Sequence, residues 1–339
     1  MQTVIKATRN EYDLSKEKNG GIPMNNMYKP EGRLIATSEN REYMVSVSSL
    51  ERANASGKIL EGIASFCRDG ENGKELFFEL GPMRGIMPQS ETEYSKTGEI
   101  AKDIAVITRV GKAVAFKIIG FDEINGEKVA VLSRKEAQRE CMENYLMTLM
   151  SGDIIDATVT HMEPFGAFVD IGCGIVSLMS IDCISVSRIL HPKDRFFVGM
   201  PIKAAVKSID YDSGRIYMTH KELLGTWKEN AEMFHVGETV SGIVRSIESY
   251  GIFVELSPNL AGLAEYREGI EIGSVAAVYI KSIIPEKMKV KLVIVDHFPS
   301  PSSKEKTFDY KINSSHIDSW IYSPEECPRV ISTEFSTVS

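Results

Sequence analysis

The chain has 339 residues, of which 43% are hydrophobic and 25% are charged, a composition typical of soluble globular proteins. Its formal net charge of −8 opposes long-range attraction of nucleic acid, so any such partner must be bound through local contacts. The sequence has no run of roughly 18 apolar residues, no secretory signal pattern at its start and no CxxC pair among its five cysteines. We therefore expect two or three cytoplasmic domains without a disulfide framework or a metal site.

The N-terminal third opens with a polar stretch and continues into a β-rich unit. Residues 1–26 are expected to be a disordered extension, and residues 27–56 lead into the first unit. Short apolar runs over residues 57–136 alternate with turn signals, which is typical of short strands. The Asn125–Gly126 pair predicts a hairpin turn between the last two of them.

A linking helix is predicted over residues 137–150, and a second β-rich unit over residues 151–222. This unit contains "MEPFGAFVDIG", in which a glycine separates two phenylalanines. A glycine inside a strand pattern indicates either a β-bulge or a close approach of another backbone. A bulge at Gly166 would bring Phe165 and Phe168 onto one face of the sheet.

Residues 223–235 are predicted to form a second helix, whose apolar stripe is expected to pack between neighbouring units. A third β-rich unit follows over residues 236–297. The remaining residues, 298–339, begin as a Pro/Ser/Lys linker and continue to the aromatic patch "HIDSWIYSP". This patch is expected either to dock on the last unit or to bind a partner.

The three units are copies of one another. Aligning residue 152 with residue 237 matches the Phe165–Gly166 pair with Tyr250–Gly251, and matches Phe168 with Phe253. The earlier of these two copies carries an insertion around "ISVSRILHPKDR". The first copy aligns Phe77 with Phe168 but lacks the aromatic–glycine pair. About five strands in each short unit predict small closed barrels.

The aromatic–glycine strand and the later "IDYDSGRIYMTHKEL" segment resemble the S1 RNA-binding domain, which belongs to the OB-fold barrels. The arrangement as a whole is similar to the stand-alone ribosomal protein S1-like proteins of Firmicutes-type bacteria. The resemblance implies a mainly β fold of three tandem five-stranded OB-type barrels joined by short helices, the first of them degenerate.

The resemblance also implies which residues contact RNA in the middle copy. Bases would stack on Phe165 and Phe168, a mode of binding that does not depend on sequence because every base has a π-face. The acidic and basic positions of the family fall on Asp210 and Arg215. The position of a family histidine falls on Ser177, which weakens one expected polar contact.

The other two copies depart further from the family pattern. In the last copy the stacking positions fall on Tyr250 and Phe253 and the basic position on Lys289, but a glutamate, Glu265, takes the histidine position. In the first copy only Phe77 remains. Without the resemblance, Phe168 and Phe253 would be interpreted as core residues that plug a barrel end.

Several basic residues are further candidates for phosphate contacts. Arg188, Lys193 and Arg195 lie in the insertion of the middle copy. Lys207 and Lys281 occupy equivalent strand positions and are interpreted either as phosphate contacts or as solvated strand residues. Lys287, Lys289 and Lys291 recur at period two, which predicts one strand face.

These patterns predict a non-catalytic protein that binds single-stranded, mRNA-like RNA in translation or mRNA handling, with the small ribosomal subunit as a possible partner. The sequence has no phosphate-binding glycine loop, nucleophile elbow or metal-ligand cluster, so we expect no cofactor, no small-molecule substrate and no membrane partner. The alternative is a protein-interaction scaffold that docks on the ribosome or on another protein through worn barrels.

Overall fold

The computed structural model describes residues 27–124, 126–299 and 307–335, and these ranges contain three closed five-stranded barrels in tandem. The predicted fold class is therefore confirmed. The extension expected over residues 1–26 and the turn residue Asn125 lie outside the described residues. Within the described ranges, no helix has both the length and the apolar composition that crossing a bilayer requires.

Each barrel pairs its first strand with its second and its fourth and closes through a parallel contact between its third and fifth strands. The first barrel consists of β1 Leu60–Gly70, β2 Gly73–Glu79, β3 Arg84–Pro88, β4 Ala113–Ile124 and β5 Glu127–Ser133. The middle barrel consists of β6 Ile154–Glu163, β7 Gly166–Asp170, β8 Val176–Ser180, β9 Pro201–Asp210 and β10 Arg215–Thr219. The last barrel consists of β11 Thr239–Glu248, β12 Gly251–Ser257, β13 Leu260–Ala264, β14 Val275–Ile284 and β15 Lys289–Phe298.

The strands form because apolar side chains recur at every second position and fill the barrel interior. In β15 the side chains of Val290, Leu292 and Ile294 are buried in the core of the last barrel, whereas the alternate residues Lys289 and Lys291 face outward. A one-residue slip of this strand would expose its whole apolar face, so the pattern also determines the register.

The described helices are short and lie before, within and between the barrels. They are α1 Ser38–Tyr43, α2 Val47–Ser56, α3 Asp103–Ile107, α4 Arg134–Asn144, α5 Ile181–Ile184 and α6 Trp227–Ala231. The first linking helix, α4, begins where the Ser133 hydroxyl accepts a hydrogen bond from the backbone N–H of Glu136.

The second linking segment is not the continuous helix predicted over residues 223–235. A 3-10 turn at Lys221–Leu224 ends at Gly225, which has a φ of +82°, and α6 begins two residues later. A residue with a positive φ interrupts helical hydrogen bonding, and glycine adopts a positive φ without steric cost. The predicted apolar stripe is nevertheless buried, with Leu223 against the middle barrel and Trp227 in the core of the last barrel.

The first and middle barrels are joined through Glu31 of the lead-in segment, which contacts buried charged residues of α4 and β7. The Glu31 carboxylate pairs with the fully buried Arg134 of α4 at 2.6 Å. The backbone N–H of Glu31 donates to the buried carboxylate of Asp170 in β7 at 2.7 Å. Asp170 also accepts from the N–H groups of Gly172 and Gly174. These bonds satisfy charges that burial would otherwise destabilise.

The C-terminal segment packs on both the middle and the last barrel, rather than on the last barrel alone. Phe308 and Tyr310 lie edge-on to His220 beside the middle barrel, with ring centroids 4.6 and 5.6 Å away. Further on, Trp320 and Tyr322 are buried in the core cluster of the last barrel. Two short strands, β16 Ser319–Ile321 and β17 Ser332–Glu334, pair with each other in this segment.

Candidate nucleic-acid interface

The middle barrel presents two phenylalanine rings at one hairpin. Glu163 at the end of β6 pairs with Gly166 at the start of β7, so Pro164 and Phe165 form a two-residue turn. Phe165 is 56% exposed at this turn, and Phe168 is half-buried on β7. Their ring centroids are 6.0 Å apart and the rings are nearly perpendicular, at 88°. We call Phe165 and Phe168 the middle tip pair.

The predicted bulge at Gly166 is wrong, and the alternative prediction of a close backbone approach is confirmed. A Cβ atom added to Gly166 would lie 2.5 Å from the carbonyl oxygen of Met179 in β8. The irregularity in this hairpin lies instead in β6, between Val159 and His161. The rings lie together because the turn directs Phe165 back toward Phe168. Because Gly166 has no side chain, β8 can pack close to β7 at this point.

The last barrel repeats this hairpin. Glu248 pairs with Gly251, Tyr250 is 68% exposed at the turn, and its ring centroid lies 6.2 Å from that of Phe253 at an angle of 86°. A Cβ added to Gly251 would lie 2.4 Å from the carbonyl oxygen of Ala264. We call Tyr250 and Phe253 the last tip pair. The same local design therefore occurs twice.

A third ring accompanies the middle tip pair and was missed by the sequence analysis. His161 lies directly opposite Phe168 across β6 and β7, with ring centroids 6.0 Å apart. Its side chain is 61% exposed, and its Nε2 lies 2.6 Å from an oxygen of Glu163. Identifying His161 would have required the register between β6 and β7, which cannot be read from the sequence.

The polar positions that the resemblance implied differ in their availability. Arg215 is exposed at the start of β10. Asp210 is exposed but holds the β9–β10 turn, because its carboxylate accepts hydrogen bonds from Ser213, and these bonds lower the pKa of Asp210. Ser177 is buried and its hydroxyl donates to the carbonyl of Ile216, so it presents no free group at the surface.

Arg195 is not a surface residue, contrary to the prediction that it contacts phosphate. It is 3% exposed, and its Nη2 lies 2.6 Å from the Glu255 carboxylate of the last barrel. Arg245 pairs with the same carboxylate at 2.8 Å and with Asp194 at 3.2 Å. The insertion of the middle copy is therefore a joint between two barrels. Arg188, in the same insertion, is exposed.

The remaining basic candidates are exposed. Lys193 lies in the insertion, Lys281 on β14 and Lys289 on β15. Lys207 of β9 is exposed too, and its ammonium lies 3.0 Å from the sulfur of Cys183, a contact that raises the pKa of Lys207. Lys287 was predicted to share a strand face with Lys289 but lies in a 3-10 turn.

Phe77 of the first barrel is covered, which corrects the expectation that it is an exposed stacking residue. It is 4% exposed, and Phe66 stacks on it with centroids 4.5 Å apart and planes 3° from parallel. The guanidinium of Arg68 lies 4.4 Å from the centroid of the same ring. The ring exposed on this barrel is therefore Phe66, at 42%.

No cluster of three or more metal-ligating side chains occurs in the part of the chain that the structure describes. The residues around the two tip pairs offer aromatic rings and scattered basic groups, which suit noncovalent binding of flat, anionic ligands.

Comparison with known proteins supports the resemblance to the S1 domain. Residues 148–221 match the family model described as S1 RNA binding domain. The chain is 29% identical over 243 residues to small ribosomal subunit protein bS1 of Staphylococcus aureus (strain COL), covering 70% of this chain and 58% of that protein. With bS1 of Staphylococcus saprophyticus it shares 28% identity over 224 residues, 61% of this chain and 56% of that protein. The chain thus spans somewhat more than half the length of these curated relatives.

Two further similarities extend over most of the chain. It is 30% identical over 277 residues to a 4-hydroxy-3-methylbut-2-enyl diphosphate reductase of Clostridium tetani, covering 78% of this chain and 42% of that protein. A solved multidomain protein with nucleic acid binding domains from Streptococcus pneumoniae matches at 14% identity over 76% of each chain, with a TM-score of 0.23.

Proposed function

We propose that this chain, which carries an S1 RNA-binding domain over residues 148–221, binds single-stranded RNA by base stacking on its two tip pairs. The observation that carries the proposal is the repetition of one exposed, edge-to-face aromatic pair at the same hairpin of two barrels, with centroids 6.0 and 6.2 Å apart. Stacking on an aromatic ring contributes roughly 1–3 kcal/mol per base without reading its identity.

Stacking suits the charge of this chain better than a binding mode dominated by phosphate contacts. The net charge of −8 opposes long-range attraction, so affinity has to come from short-range contacts. Arg215 near the middle tip pair and the exposed lysines of the last barrel supply local positive charge. Two modest sites on one chain reinforce each other, because binding at the first raises the effective concentration at the second.

The similarity to small ribosomal subunit protein bS1 supports a role in translation or mRNA handling, with the small ribosomal subunit as a partner. We propose that this role is noncatalytic. The chain would act by holding an RNA strand, and the first barrel, whose Phe77 ring is covered by Phe66 and Arg68, would contribute little stacking of its own.

The test is fluorescence anisotropy with a labelled RNA of about 20 nucleotides, long enough for more than one OB barrel. We expect the Phe165→Ala/Phe168→Ala double variant to bind at least tenfold more weakly than the wild type while remaining folded by circular dichroism. Phe197→Ala is the matched control, since Phe197 is 48% exposed just after the insertion of the same barrel but lies outside the tip pair. Unchanged affinity in a folded double variant would overturn stacking at this hairpin.

The competing function is a scaffold that binds proteins through degenerate barrels, and salt dependence distinguishes it from RNA binding. RNA binding should weaken with salt at a log–log slope near −0.7 for each phosphate contacted. Because stacking dominates, we expect a shallow slope equivalent to a few phosphates. Absence of RNA binding by the wild type at low salt would favour the scaffold.

A further inference from the structure

A groove of about 500 Å³ lies between the first and middle barrels, and we call it the interbarrel groove. Its walls include Tyr94 and Arg109 from the first barrel and Phe168, Arg215 and Tyr217 from the middle barrel. The volume falls within the range of roughly 300–1,000 Å³ that is typical of pockets for small ligands.

The interbarrel groove continues the stacking surface of the middle barrel, because Phe168 belongs both to its wall and to the middle tip pair. Tyr94 and Tyr217 add two aromatic side chains, and Arg215 adds an exposed positive charge. Arg109 also lines the groove, but its guanidinium is paired with the Glu31 carboxylate at 3.3 Å, and Glu93 adds one acidic side chain. Aromatic walls beside an exposed guanidinium suit a base with its attached phosphate.

The loop that carries Tyr94 is fixed in place by contacts with its surroundings. The backbone N–H of Tyr94 donates to the Gln138 side chain of α4 at 2.9 Å. The ammonium of Lys96 donates to the carbonyl of Asp212 in the β9–β10 turn at 2.5 Å. The guanidinium of the buried Arg134 donates to the carbonyl of Thr92 at 3.2 Å. A wall already held in position loses little entropy when a ligand binds.

We propose that the interbarrel groove receives one nucleotide of the RNA strand held at the middle tip pair, with Tyr94 of the first barrel stacking on its base. Arg215 lies at the same groove and places positive charge beside its phosphate. The inference rests on the proposed function, and it assigns a role to the first barrel. That barrel contributes through the loop that lines its neighbour's site, instead of through its own covered Phe77.

The test is the same RNA titration with substitutions at position 94. Tyr94→Ala should weaken binding by roughly five- to 150-fold, the range that one base–aromatic stack supplies. Tyr94→Phe should retain nearly wild-type affinity, because stacking needs the ring and not the hydroxyl. The matched control is Tyr266→Ala, since Tyr266 is 56% exposed on the last barrel and does not line the groove.

The outcomes separate this inference from the function on which it rests. If Tyr94→Ala binds like the wild type while the Phe165→Ala/Phe168→Ala variant loses binding, the groove is not a nucleotide site and RNA binding at the tip pair stands. If Tyr94→Ala and Tyr94→Phe weaken binding equally, stacking on this ring is overturned. If the wild type binds no RNA, the proposed function falls, and this inference falls with it.

Discussion

At the scale of single residues, the two tip-pair glycines are explained by space. At Gly166 the carbonyl oxygen of Met179 would lie 2.5 Å from a Cβ, and at Gly251 that of Ala264 would lie 2.4 Å away. Side chains do not tolerate such distances, so any other residue would push β7 or β12 away from its neighbour. The exposed ring beside each glycine owes its position to this close strand pairing.

We predict that Gly166→Ala destabilises the protein by about 1–3 kcal/mol, the usual cost of overpacking against a backbone that cannot move. The measurement is the free energy of unfolding from urea titrations. Gly120→Ala is the control, because Gly120 in β4 has open space at its Cβ and no left-handed φ, so it should be neutral or slightly stabilising. Equal effects of the two substitutions would show that the close approach is not what requires glycine.

Residue-scale prediction from sequence succeeded where local pattern was sufficient. The sequence predicted that Phe165 and Phe168 lie together, although through a bulge at Gly166 and not through the turn at Pro164 and Phe165 that brings them together, and the second copy repeats the pair. It failed for Phe77 and Arg195, because their environments are made by groups distant in sequence. Phe77 is covered by a cross-strand partner, and Arg195 is buried against the carboxylate of another barrel.

At the scale of elements, the insertion of the middle copy joins two barrels. Arg195 donates to both oxygens of Glu255 and to the carbonyl of Pro258, and the Ser185 hydroxyl donates to that same carbonyl. A buried carboxylate needs such partners, since an unpaired charge in a low-dielectric interior is strongly destabilising.

We predict that Arg195→Ala destabilises the folded protein by about 3 kcal/mol, the lower end for breaking a buried pair, because Arg245 still faces Glu255. The exposed Arg188, in the same insertion, provides the control: Arg188→Ala should leave the thermal midpoint unchanged. If Arg195 instead contacted RNA, its substitution would lower RNA affinity and spare stability.

The elements themselves were largely predictable. Strands with alternating burial, such as β15, can be recognised from the spacing of their apolar residues alone. The internal repeat supported the assignment, because the same pattern recurs in each copy. The break in the second linking helix was not predicted, because the apolar residues keep their helical spacing across the glycine at which the helix is interrupted. Gly225 adopts a φ of +82°, and the stripe remains buried although the helix is interrupted.

At the scale of the whole molecule, the C-terminal segment ties the middle barrel to the last one. It passes His220, which is fully buried among Phe196, Phe308 and Tyr310. Burial lowers the pKa of His220 to about 3, because this aromatic surrounding disfavours the imidazolium.

We predict that acid weakens this packing. The neutral histidine contributes its full stability above an ordinary pKa of about 6.5, and this is lost as the pH falls toward 3, by up to about 1.4 kcal/mol per pH unit. Thermal midpoints measured from pH 8 to pH 4 should show a steeper decline for the wild type than for His220→Gln, which cannot be protonated in this range.

The comparison between variants is needed because other groups titrate in the opposite sense. Burial raises the pKa of Glu61 to about 7, so its stabilising contribution is present below about pH 4.5 and lost as the pH rises through 7. The difference between wild type and His220→Gln cancels that common background. Parallel pH profiles of the two proteins would contradict a titrating histidine.

The joint at Arg195 and Glu255 also has a consequence for RNA length. Buried ion pairs hold the middle and last barrels against each other, and this restricts changes in the distance between the two tip pairs. Under the proposed function, the affinity for RNA therefore depends on the length of the strand. An RNA too short to reach both hairpins gains only one of them, and the first length that reaches both gains the second without a further cost of ordering the protein.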